Sequence, residues 1–447
     1  MTDATNTRAT ADAAAAATSE AASEAATLTM PGYLPRIAGR EIENALGRRG
    51  AVLVEGARGC GKTWMARHFA RSEIRLDDDA ALILASADPA EALQGSTPRL
   101  LDEWQNAPHL WNRVRRECDD RPEPGQFILT GSAVPQDDVT RHTGTGRISR
   151  VLLRPMSLRE TGASTGAVSL EKLFEGETAS GLFDGQPALR DIASAVCVGG
   201  WPQNLGLSEE DAMSSVNDYV TEIIRSDIPT GNGVRHDPTM MRRLMLSLAL
   251  NVATEAKMSK LASDMDVGHP PSRKTVVAYL DALRRVHACE DQPAWSVSLR
   301  SKSTLRREAK RHFADPSLAA AVLRATPQRL LSEPTTFGAL FESLAVRDLR
   351  IYSQPEQGAV FHYRDNTGLE ADAVIERPDG RWIAAEIKLN PNPRNIDTAA
   401  KTLLRLHDKT SRQRAGDMAA LLVVTPTGPA YRRPDGVQVA PVTALGP

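Results

Sequence analysis

The chain has 447 residues, 41% hydrophobic and 25% charged, which at roughly 100–200 residues per domain makes about two to four globular domains. Its 54 basic residues nearly balance 56 acidic ones, for a formal net charge of −2; this excludes a nucleic-acid coat protein basic throughout and leaves room for a local basic face. Cys60, Cys118, Cys197 and Cys289 form no CxxC pair and no zinc-finger spacing, which points to a reducing cytoplasm, and no stretch approaches the ~20 apolar residues that span a bilayer.

Residues 1–30 are an alanine-rich tail interrupted by Asp12, Glu20 and Glu24. With no positive segment before an apolar core, it reads as disordered rather than as a signal peptide, and Met30 is an alternative start. Structured sequence begins near Tyr33. Residues 51–55 (AVLVE) have the apolar run of a buried parallel strand, and a helix follows from Lys62 to Arg71. Further strands are expected at Glu73–Leu76, Arg99–Asp102 and Gln126–Thr130, with helical sequence between them. Strands alternating with helices over residues 31–165 predict an open α/β sheet. A helical connector or lid is expected over 166–237. Over 238–326, the segment MSKLASDMDVGHPPSRKTVVAYLDALRRV has a helix–turn–helix layout, and mixed helix and strand return over 327–447. No internal repeat is present at solenoid periods.

Gly56-Ala57-Arg58-Gly59-Cys60-Gly61-Lys62-Thr63 fits G-x-x-x-x-G-K-[ST], between a strand and a helix. Gly56, Gly59 and Gly61 allow successive backbone N–H groups to face the phosphates of ATP. Lys62 is placed to reach the β- and γ-phosphates, and the Thr63 hydroxyl to bind Mg²⁺. The acidic pair ending the 99–102 strand supplies Asp102 for the Mg²⁺ shell and Glu103 to polarise the attacking water. An exposed pair capping a helix is the alternative reading of those two residues. On the next strand, Thr130 and Ser132 offer hydroxyls that could sense the γ-phosphate.

With these residues in place, the chain resembles a large prokaryotic family of AAA-type P-loop ATPases carrying a C-terminal domain of unknown function. The matching segments are Tyr33-Leu34-Pro35-Arg36, GARGCGKT, Leu76-Asp77-Asp78, Asp102-Glu103-Trp104-Gln105, Ile128 to Ser132, Gly146-Arg147, Arg154 to Glu160, Gly199-Gly200-Trp201-Pro202, Tyr219 to Glu222 and Asp315-Pro316. The resemblance implies a P-loop NTPase core, a helical and winged-helix-like middle, and an α/β, restriction-endonuclease-like end. Ala57 and Cys60 depart from the family's usual loop residues and leave the required glycines, lysine and threonine intact. An arginine is expected to stabilise the transferring phosphoryl group. Arg147, Arg150 and Arg154 follow the sensor-like strand, and Arg147 is selected by the Gly-Arg pair, whether it serves its own subunit or a neighbour.

Lys302, Arg306, Arg307, Lys310 and Arg311 cluster beside Glu308, after a β-like stretch at Trp295–Leu299 where a winged helix carries its wing. Contact with DNA phosphates is one reading; a solvated helix face or a protein-docking module is the other. Residues 369–389 (LEADAVIERPDGRWIAAEIKL) read as a β-hairpin around Pro378-Asp379-Gly380. Strand alternation puts Glu370 with Asp372 on one face of the first strand and Glu386 with Lys388 on one face of the second, so that three carboxylates and one ammonium converge if the register matches, and a helix from Phe337 can add Glu342. This looks like the D…ExK core of restriction-endonuclease-like enzymes. By that resemblance Asp372, Glu386 and Glu342 are metal ligands and Lys388 is the catalytic ammonium. A cross-strand salt-bridge face is the alternative. Only ten residues of the chain are lysine, and Lys62 and Lys388 fall where phosphate chemistry needs a compact ammonium.

The expectation is therefore a cytoplasmic, Mg²⁺-dependent ATPase acting on or near DNA through a winged-helix-like module and a nuclease-like end. The competing expectation is a nucleotide-gated switch that orders a protein-partner interface beside an inactive nuclease-like domain. Oligomeric state and pathway are not encoded in any of these features.

Overall fold

The computed structural model describes residue 28 and residues 31–131, 144–181, 187–225, 237–266, 268–297 and 307–447. Ser132, Met30 and nearly all of the alanine-rich tail lie outside these, as do Lys302 and Arg306.

The apolar run at 51–55 forms β1 (Ala51–Glu55), followed by the helix Lys62–Phe69 and by β2 (Ser72–Arg75), β3 (Arg99–Asp102), β4 (Phe127–Gly131) and β5 (Ile148–Leu152). All pair in parallel, in the order β2-β3-β4-β1-β5. Parallel strands need helical crossovers, so both faces of the sheet are covered and side chains alternate between two apolar layers. Ala51, Leu53, Leu101, Phe127 and Leu129 pack with Trp104 and Trp111; Val52, Val54, Leu100, Ile128 and Val151 pack with Ile42, Met65 and Ala66. Burying side chains of this size contributes about 1.5–3 kcal/mol each. Every strand exits at one edge of the sheet, and there the phosphate loop, Asp102 and Thr130 emerge together.

Beyond the sheet come β6 (Val168–Ser169) and the helices Leu170–Phe174, Leu189–Val198 and Glu209–Arg225. Three further helices, Pro238–Leu250, Met258–Asp264 and Arg273–Arg285, precede an antiparallel ribbon. In that ribbon Cys289 bridges to Phe313 and Gln292 to Lys310. Asp237 and Ser272 cap the first and third of the three helices through Thr239 N and Thr275 N.

The helices Pro316–Val322, Pro327–Ser332 and Pro334–Ser353 each begin on a proline, where a missing N–H costs nothing. They lead into β7 (Ala359–Arg364), β8 (Glu370–Glu376), β9 (Trp382–Ile387), the helix Pro393–Lys409, β10 (Met418–Thr425), β11 (Tyr431–Arg432), β12 (Gln438–Pro441) and β13 (Leu445–Gly446). The second sheet is mixed, in the order β11-β12-β10-β9-β8-β7. The expected hairpin is β8 and β9, antiparallel, with Ala373 opposite Ala385. β13 leaves this sheet and pairs in parallel with β6.

The regions expected after residue 165 share one apolar core, which runs from Leu170 and Val196 through Leu244 and Leu280 to Leu344, Ile383 and Val424. A buried ion network ties this body to the first sheet. Arg347 bonds Asp315 and Asp348 at 2.7 Å each; Asp348 accepts from Leu158 N at 3.1 Å, and Asp315 from Gly200 N at 3.1 Å. Three family-like segments (154–160, 199–202 and 315–316) thus meet as a structural joint. Among the described residues, no helix is long and apolar enough to cross a membrane.

Candidate functional site

The phosphate loop turns sharply between β1 and the helix Lys62–Phe69. Gly59 and Gly61 adopt left-handed φ of 78° and 98°. At Gly56 a Cβ would stand 2.1 Å from Leu153 O, so only glycine lets the loop lie against the end of β5. Cys60 is fully buried and its thiol reaches Leu153 O at 3.3 Å, which makes it a packing residue. The Lys62 ammonium is folded over the loop and donates to Gly56 O and Ala57 O at 3.0 and 2.9 Å.

Thr63, in the first turn of the helix Lys62–Phe69, and Asp102, at the end of β3, meet. Thr63 Oγ1 donates to Asp102 Oδ1 at 2.8 Å, and Thr130 Oγ1 donates to the same oxygen at 2.5 Å. Because β4 lies between β1 and β3, Thr130 is the bridge that holds Asp102 in place. The sequence offered Thr130 only as a possible phosphate sensor. A hydroxyl and a carboxylate oxygen at this separation suit a hard, oxygen-seeking cation, and Mg²⁺ fits this pair. Glu103 follows in a left-handed conformation, φ 55°, uncommon for a residue with a side chain. Gln105 Nε2 donates to its carboxylate, and Thr130 Oγ1 accepts from its backbone N–H at 3.3 Å.

Lys62, Thr63, Asp102 and Glu103 line a cavity of about 810 Å³, shared with Arg36, Arg58 and, from the connector, Pro202 and Gln203. Arg36, 8% exposed, was not singled out as a site residue. It donates to Cys60 O at 2.8 Å, Arg154 O at 2.7 Å and Glu160 at 3.0 Å, clamping the loop to the segment after β5. The signal for it was the Tyr33 to Arg36 segment, read only as part of the resemblance.

Arg147 is not part of this site within the chain. Its carbonyl accepts from Ala51 N, at the start of β1, so it lies at the opposite sheet edge from Lys62. Strand polarity decides this: β5 is parallel to β1, and a residue preceding β5 sits where β1 begins. Arg147 pairs there with Asp119 at 2.7 Å. Arg150 pairs with Glu55. Arg154 grips Glu290 through two bonds, of 2.8 and 2.7 Å, and donates to Gln354 at 2.9 Å.

The C-terminal carboxylates do converge, with a different membership from the one alternation predicts. The β7–β8 register shifts between Phe361 and Tyr363, and the extra residue on β8 breaks the alternation at Asp372. Glu370 is sent to the surface, pairing with Arg364 at 3.2 Å. Asp372 instead meets Glu386, Lys388, Glu342 and Lys310. Lys310 Nζ lies 2.6 Å from Glu342 and 3.5 Å from Asp372; Lys388 Nζ lies 3.2 Å from Asp372 and 2.5 Å from Glu386. Burial, reinforced by Asp372, pushes the Glu342 carboxyl up to about 7 and that of Glu386 up to about 8. Burial acts upward on Asp372 too, and the two ammonium groups outweigh it and hold that carboxyl below its ordinary value.

Glu342, Asp372 and Glu386 were expected to hold a metal ion. Among the described residues, no group of three or more His, Cys, Asp or Glu is arranged to do so; the ammonium groups of Lys310 and Lys388 stand among these carboxylates instead. Lys310 and Arg311 were expected on a basic face. Both are buried, and Arg311 bonds Asp291 at 2.7 Å and Glu308 at 3.2 Å.

Residues 48–162 match the model of the AAA domain. Residues 189–329 and 337–445 match two domains of unknown function, DUF8612 and DUF4143. Uncharacterized proteins of Mycobacterium bovis and Mycobacterium tuberculosis are each 26% identical over 363 residues, which is 80% of this chain and 74% of theirs. Among solved structures, the Walker-type ATPase PABY2304 of Pyrococcus abyssi is similar at 15% identity and TM-score 0.40, covering 66% of this chain and 99% of that one. AMPPCP-bound DnaA from Aquifex aeolicus is similar at 14% identity and TM-score 0.27, covering 56% and 86%.

Proposed function

We propose that this chain binds and hydrolyses ATP at the edge of the parallel sheet, and that turnover shifts the helical and C-terminal body against that sheet. The observation carrying the reading is the hydrogen-bonded set Thr63–Asp102–Thr130 beside Lys62, with the strained Glu103 at its flank. Backbone N–H groups of the loop and the Lys62 ammonium cradle the phosphates. Thr63 and Asp102 would hold Mg²⁺, which neutralises charge on the β- and γ-phosphate oxygens. Glu103, oriented by Gln105, accepts a proton from the attacking water. Pro202 and Gln203 close the cavity from the connector, so that changes at the phosphates reach the segment anchored by Gly200.

A second reading is favoured by the C-terminal cluster. The nuclease-like expectation needs a divalent ion among three carboxylates and a basic face toward DNA. Lys310 stands among those carboxylates, and Arg311 is turned inward beside it. We therefore weigh a nucleotide-gated switch, working through protein contacts, above DNA cleavage.

One assay tests both readings: ATP turnover of wild type, Lys62→Ala and Glu103→Gln, with and without DNA, with the DNA inspected for cuts. Glu103→Gln is expected to lower turnover by about 10²–10⁴-fold while ATP stays bound, and Lys62→Ala to lose both binding and turnover. Background turnover by wild type under every condition, or normal turnover by Glu103→Gln, refutes the hydrolase. DNA-stimulated turnover or Mg²⁺-dependent nicking refutes the switch.

A further inference from the structure

We infer that Lys310 is a resident cation: its ammonium fills the position between Glu342 and Asp372 that a divalent ion would take, and its removal turns the carboxylate cluster into a binding site for an oxygen-seeking divalent cation such as Mn²⁺. This inference is independent of the nucleotide reading, since none of the residues it concerns lines the cavity at the phosphate loop.

Each carboxylate in the cluster is already engaged by a cation of the chain. Asp372 presents Oδ1 to Lys310 at 3.5 Å and Oδ2 to Lys388 at 3.2 Å; Oδ2 also accepts from Ile387 N at 2.8 Å. Glu342 takes the shortest contact with Lys310, 2.6 Å, and Glu386 bonds Lys388 at 2.5 Å. These are not pliable surface pairs: the Lys310 side chain is 7% exposed, Asp372 14% and Glu342 16%. Ion pairs this enclosed hold only when the geometry is good and the remaining lone pairs are satisfied.

The position of Lys310 is built rather than incidental. Gln292, fully buried, sits opposite Lys310 and exchanges both backbone hydrogen bonds with it, each 2.9 Å. Its side-chain amide donates to Phe361 O at 3.0 Å and Asp372 O at 2.9 Å, which clamps the ribbon onto β7 and β8. His362 Nε2 reaches Glu308 O at 3.1 Å and fixes the ribbon again, two residues before Lys310. The residue type fits the role. A compact ammonium sits between two carboxylates as a point charge, where a guanidinium would impose its planar fork, and this position carries one of the ten lysines in a chain that otherwise prefers arginine. Without Lys310, three largely enclosed carboxyl groups would face a single ammonium, a crowding that is relieved by protonation or by a divalent cation, and the cation wins where it can bridge Glu342 and Asp372.

The experiment is Mn²⁺ uptake by nucleotide-free protein, followed by electron paramagnetic resonance, in wild type, Lys310→Met, Asp372→Asn and the Lys310→Met/Asp372→Asn double variant. Lys310→Met is expected to gain one Mn²⁺ per chain, with affinity about tenfold or more above wild type. The double variant loses the gain, and Asp372→Asn leaves wild-type uptake unchanged; this assigns the signal to the cluster rather than to Thr63 and Asp102. Lys310→Gln repeats the test where Lys310→Met does not fold in EDTA, and either variant is then expected to regain its circular-dichroism spectrum on addition of Mn²⁺. Three results overturn the inference: wild-type Mn²⁺ uptake that Asp372→Asn abolishes, a folded Lys310 variant with no gain, or unfolding of both variants that Mn²⁺ does not reverse.

Discussion

Arg154 and Glu290 join the parallel sheet to the ribbon, and their removal measures how firmly. Arg154→Ala withdraws two charge-assisted bonds, of 2.8 and 2.7 Å, from the Glu290 carboxylate, and a third of 2.9 Å from Gln354. Breaking a fully buried pair costs about 3–5 kcal/mol. Here the two side chains keep 14% and 26% exposure, and Arg350 Nε remains 3.7 Å from Glu290, so roughly 2–3 kcal/mol is expected. Burial pushes the Glu290 carboxyl up, and Arg154 with Arg350 outweighs it and holds the group at about 2; the single variant should bring it back toward ordinary glutamate values. The assay is a double-mutant cycle of Arg154→Ala, Glu290→Ala and the pair, by urea unfolding followed through tryptophan fluorescence. A coupling energy of about 1–3 kcal/mol is expected. Additivity within about 0.5 kcal/mol would refute the joint.

Two further predictions rest on single positions. Burial and the nearby Lys310 ammonium hold the His362 imidazole down at about 4, against an ordinary 6.5. The native ring is neutral where the unfolded one takes a proton, so its contribution is present above about pH 6.5 and lost as pH falls toward 4. This is worth at most about 3 kcal/mol; His362→Gln should flatten the stability–pH curve in that window, and an unchanged slope counts against the assignment. At Gly200 a Cβ would stand 1.9 Å from Met156 O, and the Gly200 carbonyl accepts from Met156 N at 2.6 Å. Gly200→Ala should cost about 3 kcal/mol or more in urea unfolding. Gly338→Ala, in the open on its helix, should be neutral or stabilising by up to about 1 kcal/mol. Similar unfolding midpoints for the two variants would refute the close approach.

The parallel sheet was legible because its signals are local. AVLVE and RLLD are short apolar runs, and their observed bounds, Ala51–Glu55 and Arg99–Asp102, match the runs themselves. The phosphate loop was legible for the same reason, since eight consecutive residues carry its chemistry. What stayed hidden depends on partners distant in sequence. Arg147 follows the sensor-like strand in sequence yet sits at the wrong sheet edge, because direction across a crossover is not written in the residues beside it. Lys310 stands in a basic run and looks solvated; its neighbours Glu342 and Asp372 arrive from a helix and a strand beyond. Glu370 obeys strand alternation on paper, and a single extra residue on β8 reverses its destination.

The pairing of β6 with β13 bears on the order in which the molecule can assemble. The strands of the first sheet come from residues 51–152, a contiguous stretch that can close while the rest of the polypeptide is still on the ribosome. Val168 and Ser169 have no such option. Their strand partners are Leu445 and Gly446, and Ser164 Oγ donates to Leu445 O at 2.6 Å. The segment leaving the parallel sheet therefore keeps an open edge until residue 446 has been translated, and non-local closure of this kind is slow. A chain interrupted before residue 445 would carry a finished phosphate loop beside an unfinished seam, and that seam is where chaperones and proteases would find it.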